Sequence, residues 1–314
     1  MSKQFFNEVG ISEIGFYIPD NFISNEEQIA KFGLDELFIN QKIGTSKLSR
    51  KFLQQDTSDL CVKAFEELES RVIINRETID CLVVVTQNPD GDGLPHTSAI
   101  VHAKLNLKTS CAVFDISLGC SGYVYSLSII KSFMESNNLK NGLLFTCDPY
   151  SKIIDINDKN TSMLFGDAAT VTMMNTKPKL LLDKFIFATS GIEADSLICT
   201  HGVLTMNGRA VFNFCATEVP KQIKYLINNY NNGIEADLYL LHQGSKYIIE
   251  TIARKLNLNN DKTPCNLEGV GNTVSSSIPL LLKNYINNSQ IKTIVLSGFG
   301  VGLSWASCII KTNQ

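Results

Sequence analysis

One cysteine of this chain stands among small residues. Residues 114–130 place Cys120 after Gly119 and before Ser121 and Gly122, between an apolar strand-like run and a long apolar run. Glycines permit a tight turn between strand and helix and let a ligand approach the backbone. At the amino end of a helix, unpaired N–H groups and the helix dipole favour the reactive thiolate. The segment predicts a nucleophile, although a small buried cysteine would explain the residue taken alone.

Two residues in the second half of the chain could act with such a thiol. His242 ends the apolar run of residues 236–243, where a strand delivers side chains to the carboxyl edge of a sheet. Asn272 follows two glycines and precedes a predicted helix, so its amide could donate to a developing oxyanion. Taken alone, His242 also fits a core histidine and Asn272 a helix N-cap. Together the three fit nucleophilic cysteine chemistry, which does not separate hydrolysis from acyl transfer.

Other site chemistries find little support in the residues. His96, His102 and His201 have no metal-ligand spacing with cysteines or carboxylates, so no zinc site is predicted. The Gly-rich residues 297–307 lack the P-loop pattern, and we expect their backbone amides to line a site. The net charge of −3 gives no support for nucleic-acid binding as the main activity.

Length and composition suggest a layered protein with two related parts. The 314 residues are 44% hydrophobic and 19% charged, which favours two domains or fused halves and an oligomer. The nine cysteines contain no C-x-x-C pair, so a disulfide framework is not expected. The first residues do not resemble a secretory signal, and no apolar run approaches the roughly 18 residues of a spanning helix. These features predict a cytoplasmic protein.

Apolar runs predict alternating strands and helices in both halves of the chain. Strands are expected at residues 80–87, 111–118, 141–148 and 236–243, a hairpin-like pair at 162–176 and 179–191, and a strand–turn–strand at 292–311. Helices are expected at residues 96–107, 121–138, 211–230, 245–258 and 272–288. All-apolar strands that alternate with helices indicate α/β layers. We therefore predict two halves, residues 1–175 with the nucleophilic Cys and residues 176–314 with the His and Asn.

Six motifs in a fixed order, together with the segments at residues 14–27 and 43–52, carry a family resemblance. The motifs are FDISLGCSGYVYSL, LFGDAATV, NGRAVFNF, LLHQGS, GNTVSSSIPLLL and GFGVGLSW. The set resembles the β-ketoacyl-acyl-carrier-protein synthase III family of the thiolase-fold superfamily, over nearly the whole chain. The resemblance implies a five-layered αβαβα fold with two similar halves and mixed sheets. It also implies a transferase of lipid metabolism and fatty acid biosynthesis, namely an acyltransferase of the 3-oxoacyl-ACP synthase III type.

The resemblance assigns roles to the candidate residues. Cys120 matches the acyl-accepting nucleophile, while His242 and Asn272 match the pair that binds the thioester carbonyl of the extender. The backbone N–H groups of Cys120 and Val301 match the oxyanion hole. The implied reaction is acylation of Cys120 by acyl-CoA or an acyl carrier protein, then decarboxylative Claisen condensation with a malonyl thioester. No permanently bound cofactor is implied.

The resemblance also implies substrate contacts and partners. Phe38 and Lys42 stand where the family has a coenzyme A-gripping Trp and an Arg, and Ser245 stands where it has an Asn. Phe212 lies in the segment that lines the family's tunnel. Leu94 matches a position that reaches across a homodimer interface towards the partner's acyl pocket. The expected partners are a second copy of the chain, an acyl carrier protein and small acyl thioesters.

Departures from the family pattern leave the pathway and the reaction open. Tyr247 and Asn213 replace basic residues of the carrier-docking face, where Lys246, Arg254 and Lys255 remain. Carrier docking depends on charge complementarity, so we expect a specialised lipid, secondary-metabolite or polysaccharide pathway. The alternatives are acyl transfer from the cysteine to a hydroxyl or amine without decarboxylation, and a silent subunit of a heteromeric synthase.

Overall fold

The computed structural model describes residues 8–313. Its strands are β1 (Gly10–Tyr17), β2 (Asn21–Ser24), β3 (Lys47–Arg50), β4 (Cys81–Val85), β5 (Ala112–Ile116), β6 (Asn141–Cys147), β7 (Ala169–Asn175), β8 (Leu180–Thr189), β9 (Leu197–Thr200), β10 (Val203–Met206), β11 (Leu238–Leu241), β12 (Thr293–Gly300) and β13 (Ser304–Thr312). Its α-helices are α1 (Asn25–Phe32), α2 (Glu36–Phe38), α3 (Thr57–Arg71), α4 (Thr97–Lys104), α5 (Gly122–Ser136), α6 (Lys159–Ser162), α7 (Gly208–Tyr230), α8 (Lys246–Leu256) and α9 (Ser277–Leu282). None of the helices in this range is long and apolar enough to cross a bilayer.

The main sheet consists of two groups of strands with the same pairing pattern. The first group has the order β5-β4-β6-β7-β1 and the second has the order β11-β12-β13-β8. In each group the first strands pair in parallel and the last strands pair antiparallel. Strand β7 is antiparallel to both of its neighbours in the first group, as β13 is in the second. A single pair, Ile11 with Leu180, joins the two groups between β1 and β8. The matching order agrees with the expected mixed sheets of two similar halves.

Alternate residues of the buried strands pack on different helices. In β4, Val83 packs in the cluster that contains α5 and α9, whereas Leu82 packs with α3 and α4. In β11, Leu240 packs in the α5 and α9 cluster, whereas Leu241 packs with α7 and α8. This alternation follows from the two-residue repeat of a strand. It produces five layers, with α5 and α9 between the two groups of strands and helices outside each group.

Two sequence predictions about these elements were wrong. Strands β7 and β8 do not form a hairpin, because β1 lies between them and pairs with β7 along its length. The helix expected at residues 272–288 is limited to α9, after a 3-10 turn at Val274–Ser276. Val274 has a φ of 53°, outside the right-handed α region, and so the α-helix begins only after it.

The predicted division between residues 1–175 and 176–314 falls in the link between β7 and β8. The central apolar cluster takes side chains from both sides of this link, among them Val83 and Leu240. The division at this residue stays a prediction.

Candidate active site

The nucleophile predicted at Cys120 lies in the turn between β5 and α5, as expected. Its side chain is buried, and the backbone N–H groups of Cys120 and Val301 both approach the sulfur. Strand β12 can lie against this turn because it carries two glycines. A Cβ atom on Gly300 would stand 2.7 Å from Cys120 Sγ, and one on Gly298 would stand 2.7 Å from the Cys120 carbonyl oxygen. The Gly-rich segment of the second half therefore brings a backbone amide to the thiol of the first half.

The environment of Cys120 favours the neutral thiol over the thiolate. Burial raises the pKa of the thiol to about 12, and the nearby Asp148 adds to this increase. The two N–H groups act in the opposite direction but do not outweigh burial. The N–H groups therefore lower the pKa as expected, but the net effect predicted from the helix terminus was wrong, because burial raises the pKa of the thiol by more than these groups lower it.

His242 directly follows β11 and is buried at the edge of the sheet. Its Nδ1 atom lies 2.8 Å from Ser277 Oγ, and the ring of Phe299 packs edge-on with centroids 5.4 Å apart. Burial lowers the pKa of His242 to about 3, an effect only partly opposed by the Val274 carbonyl. The imidazole is therefore neutral at physiological pH.

Asn272 is held by backbone bonds to the segment that follows α6. Its N–H donates to the Leu164 carbonyl and its carbonyl accepts from Gly166 N–H, each at 2.9 Å. Its side-chain Oδ1 accepts from Val274 N–H at 2.9 Å, and its Nδ2 lies 3.4 Å from the Gly244 carbonyl. The side-chain carbonyl thus accepts a bond from the local turn, but Asn272 is not the helix N-cap that the capping interpretation predicted, since the 3-10 turn begins after Thr273 and α9 after Ser276. The amide nitrogen is left as the side chain's donor.

One cavity of about 380 Å³ contains all three residues of the predicted catalytic set. Four of the five predicted substrate contacts also line this cavity, namely Phe38, Lys42, Phe212 and Ser245. Leu94 is not among the lining residues, and its side chain is 93% exposed. The structure therefore unites residues from both halves of the chain and leaves Leu94 at the surface.

The mouth of the cavity carries a stack that the sequence did not predict. Lys42 Nζ lies 3.4 Å from the ring centroid of Tyr247, which stacks on Phe212 at 5.0 Å and 13°. Lys159 and Arg209 also line the cavity, and the lining contains no Asp or Glu. Sequence reasoning missed both cations because isolated basic residues are common at protein surfaces.

Ser277, Gly166 and Asp148 were also missed. Each acts through a contact with residues distant in the chain, and the local sequence around Ser277 and Asp148 does not mark them. A Cβ atom on Gly166 would lie 1.7 Å from the Val270 carbonyl oxygen, so this glycine lets the Asn272 segment approach. The motif LFGDAATV contained the signal, but only the fold shows what the glycine permits. Within residues 8–313, no group of three or more His, Cys, Asp or Glu side chains could hold a metal ion.

Comparison with known proteins gives matches over most of the chain. Residues 114–190 match the 3-oxoacyl-[acyl-carrier-protein] synthase III family, and residues 232–312 match the C-terminal family of the same enzymes. The β-ketoacyl-[acyl-carrier-protein] synthases III of Streptococcus mutans and Lactococcus lactis are each 32% identical, over 96% of this chain and 98% of their own.

Solved structures agree with the sequence matches. The crystal structure of β-ketoacyl-[acyl carrier protein] synthase III from Thermus thermophilus is 28% identical and has a TM-score of 0.87. The alignment covers 97% of this chain and 99% of that one. This likeness confirms the predicted thiolase-like α/β fold. The chain therefore belongs to the 3-oxoacyl-[acyl-carrier-protein] synthase III family and is a condensing enzyme of the acyltransferase type.

Proposed function

We propose that Cys120 takes an acyl group from an acyl thioester and that a malonyl thioester then extends this group by decarboxylative condensation. The observation that supports this proposal most strongly is the meeting of Cys120, His242 and Asn272 in one cavity. A neutral imidazole, an amide and two backbone N–H groups at a thiol can serve two carbonyl groups in turn. That number of donors suits a two-step reaction with two thioesters.

In the first step Cys120 Sγ attacks the acyl carbon of the donor. A sulfur–carbon bond forms at Cys120, the donor's carbon–sulfur bond breaks, and the departing sulfur takes the thiol proton. The N–H groups of Cys120 and Val301 stabilise the tetrahedral anion. Losing one such donor typically costs about a hundredfold in rate.

In the second step the malonyl thioester carbonyl accepts hydrogen bonds from His242 Nε2–H and Asn272 Nδ2–H. The bond to the carboxylate breaks, carbon dioxide leaves, and the electron pair moves into the stabilised enolate. The enolate carbon bonds to the acyl carbon, and Cys120 leaves as a thiolate that is reprotonated by solvent. Ser277 Oγ accepts from Gln243 N–H at 3.3 Å, so its own proton can be donated to His242 Nδ1. With the hydroxyl as donor to Nδ1, the imidazole carries its proton on Nε2.

The mouth of the cavity fits a donor with phosphate groups. Lys42, Lys159 and Arg209 give it positive charge, and Phe38 offers a ring on which adenine can stack. Coenzyme A and the phosphopantetheine arm of an acyl carrier protein both carry phosphates, and the relatives are named for the carrier protein. We place the enzyme in the cytoplasm as a homodimer in which Leu94 reaches the partner's acyl pocket. It works in a specialised lipid, secondary-metabolite or polysaccharide pathway, without a permanently bound cofactor.

Acyl transfer without decarboxylation is the second candidate. Ser245 Oγ accepts from Ile248 N–H at 3.4 Å and so caps α8. The resemblance implies that the family's Asn at this position orients a water, and a hydroxyl engaged in this way is less suited to that role. Under this alternative the acyl enzyme would pass its group to a hydroxyl or amine acceptor.

Peptide mass after incubation with acyl thioesters separates these candidates. A panel of acyl-CoA and acyl-carrier donors is added, and the mass of the peptide that contains Cys120 is read. A malonyl thioester is then added, and carbon dioxide and product mass are measured. We expect an acylated peptide followed by gas release and a longer product. Acylation without carbon dioxide would support the second candidate, and no acylation from any donor would support a silent subunit.

A further inference from the structure

A buried carboxylate lies between the two turns that carry Cys120 and Asn272. Asp148 follows β6 and is 0% exposed. Among the residues that the structure describes, no Lys, Arg or His side chain forms an ion pair with it. A buried charge without a counter-ion is costly, and such groups are concentrated at functional sites.

One oxygen of Asp148 contacts the turn that follows Asn272. Oδ2 accepts from Ser275 Oγ at 2.5 Å, and the Ser275 backbone N–H also donates to the carboxylate. Ser275 belongs to the 3-10 turn whose first residue, Val274, donates its N–H to Asn272 Oδ1. The carboxylate therefore fixes the turn that sets the orientation of the Asn272 amide.

The other oxygen contacts the support of the Cys120 turn. Oδ1 accepts from Gln87 N–H at 2.7 Å, just beyond the end of β4. The Gln87 side chain accepts from Tyr150 Oη at 3.0 Å. Gln87 Oε1 also lies 2.6 Å from where a Cβ atom of Gly119 would stand, next to the thiol. Asp148 is thus bonded on one side to the nucleophile's support and on the other to the Asn272 turn.

We propose that Asp148 is a positioning residue that holds the Asn272 turn at a fixed place relative to the turn that carries Cys120. This inference rests on the proposed function, because it assigns Asn272 a part in condensation. Asp148 does not line the cavity and acts only through its neighbours. Acylation and condensation should therefore depend on Asp148 differently. Acylation needs only the Cys120 turn, whereas condensation needs both turns at the correct distance and orientation.

The charge of Asp148 supplies a second, independent readout. Its field is one cause of the raised pKa of Cys120. Burial raises the pKa of Asp148 itself to about 6. The other titratable groups that face it, Cys120, Cys147 and Tyr150, have raised pKa values and stay neutral between pH 5 and 8. Asp148 is therefore the group of this cluster that changes charge in that interval.

The rate at which iodoacetamide alkylates Cys120 tests whether the charge of Asp148 acts on the thiol. Loss of a nearby negative charge stabilises the thiolate, so Asp148→Asn should be alkylated about tenfold faster than the wild type at pH 8. At pH 5 the wild-type carboxyl is protonated, and the two rates should converge. Ser275→Ala keeps the charge and is the matched control, with a rate within about twofold of the wild type at both pH values. If Asp148→Asn and the wild type are alkylated at equal rates at pH 8, or if the ratio of their rates does not change with pH, the proposed effect of the Asp148 charge on the thiol is wrong.

Separate measurement of acylation and condensation tests the positioning. Asp148→Asn and Ser275→Ala should each slow condensation by about tenfold, since each removes a hydrogen bond to a charged group. Acylation should change far less. Combined, the two substitutions should cost little more than either alone, because they break the same bond. Ser276→Ala combined with Asp148→Asn is the control for this double variant. Ser276 Oγ donates to the Thr146 carbonyl and not to Asp148, so the effects of these two substitutions on condensation should add.

Additive effects for Asp148→Asn with Ser275→Ala would contradict the proposal. Equal losses of acylation and condensation would contradict it as well. If Asp148→Asn does not fold, as judged by circular dichroism, Ser275→Ala decides: unchanged condensation overturns the proposal and a selective loss supports it. A wild type that releases no carbon dioxide would refute the proposed function. The alkylation ratio would still test Asp148 in that case.

Discussion

At the residue scale, Gly300 allows β12 to lie directly against the thiol of Cys120. A methyl group on residue 300 would stand 2.7 Å from Cys120 Sγ, closer than carbon and sulfur can approach. Gly300→Ala should therefore displace the thiol from the Val301 N–H and reduce the rate of acylation by about a hundredfold. Stopped-flow release of coenzyme A measures this rate.

Gly191→Ala is the matched control for that substitution. A Cβ atom on Gly191 meets no atom within 4 Å, so its acylation rate should equal that of the wild type. An unchanged rate for Gly300→Ala would show that the thiol does not depend on this close approach.

Also at the residue scale, His242 should remain neutral in acid. Burial lowers the pKa of His242 to about 3, whereas a histidine in the unfolded chain titrates near 6.5. Nitrogen-15 NMR should show a neutral imidazole at pH 5 for the signal that is missing in His242→Asn. Between pH 6.5 and 4 the unfolded state binds a proton that the folded state does not, so stability falls as the pH falls.

His242→Asn removes that proton uptake from the unfolded state. Its free energy of unfolding should therefore fall less steeply than that of the wild type between pH 6.5 and 4. Urea titrations at several pH values measure the difference. A signal that titrates near pH 6.5, or equal slopes for the two proteins, would contradict the assignment of a desolvated neutral imidazole.

At the same scale, Cys120 and His242 could be singled out from the sequence because each follows a strand and has small neighbours. Asn272 was singled out by the glycines before it, and the structure describes no strand directly ahead of it. Asp148 and Ser277 could not be predicted in this way. A serine or aspartate in a loop is ordinary, and the roles of these two depend on contacts with residues distant in the chain. The pKa of Cys120 was also mispredicted, because local sequence shows a helix terminus but not the depth of burial.

At the scale of elements, the short bridge between Phe165 and Asn272 holds the turn that carries Asn272. A methyl group on Gly166 would lie 1.7 Å from the Val270 carbonyl oxygen, which is part of the backbone and cannot rotate away. Gly166→Ala should separate the two segments, slow condensation by more than tenfold and destabilise the fold by about 1–3 kcal/mol. Single-turnover condensation and thermal unfolding measure the two effects.

Gly202→Ser is the control for Gly166→Ala, since it replaces a glycine that lies outside the site. Gly202 lies in the turn between β9 and β10, where a Cβ atom meets no atom within 4 Å but φ is +77°. It should cost some stability from backbone strain without a selective effect on condensation. Full condensation by Gly166→Ala would show that the bridge does not position Asn272.

The elements themselves could largely be predicted from apolar runs, but their pairing could not. Strands β4, β5, β6 and β11 lie where the runs placed them. The hairpin predicted from β7 and β8 failed because β7 pairs with β1 and β6, whereas β8 pairs along its length with β13 and meets β1 at one residue pair. Apolar patterning marks which residues are buried and says nothing about which strand supplies the hydrogen bonds.

At the scale of the whole molecule, the cavity mouth is positively charged although the chain has a negative net charge. The net charge is −3, yet Lys42, Lys159 and Arg209 line the cavity, and its lining contains no Asp or Glu. The KM for acyl-CoA should therefore rise with salt as the cations are screened, while kcat changes little. Arg209→Gln should raise the KM and flatten its salt dependence.

Lys221→Gln is the matched control for a lost cation. Lys221 is paired with Glu218 on the exposed side of α7 and lies outside the cavity lining. Its KM and salt dependence should be those of the wild type. If Arg209→Gln and Lys221→Gln behave alike, the cavity cations have no special part in donor binding.

The central claim is that the acyl group on Cys120 is consumed by a decarboxylative condensation that depends on Asn272. Its most direct test is a single turnover of isolated acyl enzyme with carboxyl-labelled malonyl thioester. We expect one labelled carbon dioxide for each acyl group lost from Cys120, a β-ketoacyl product, and a loss of about a hundredfold in Asn272→Ala, whose acylation is retained. Loss of the acyl group without labelled carbon dioxide, or full turnover by Asn272→Ala, would contradict the account.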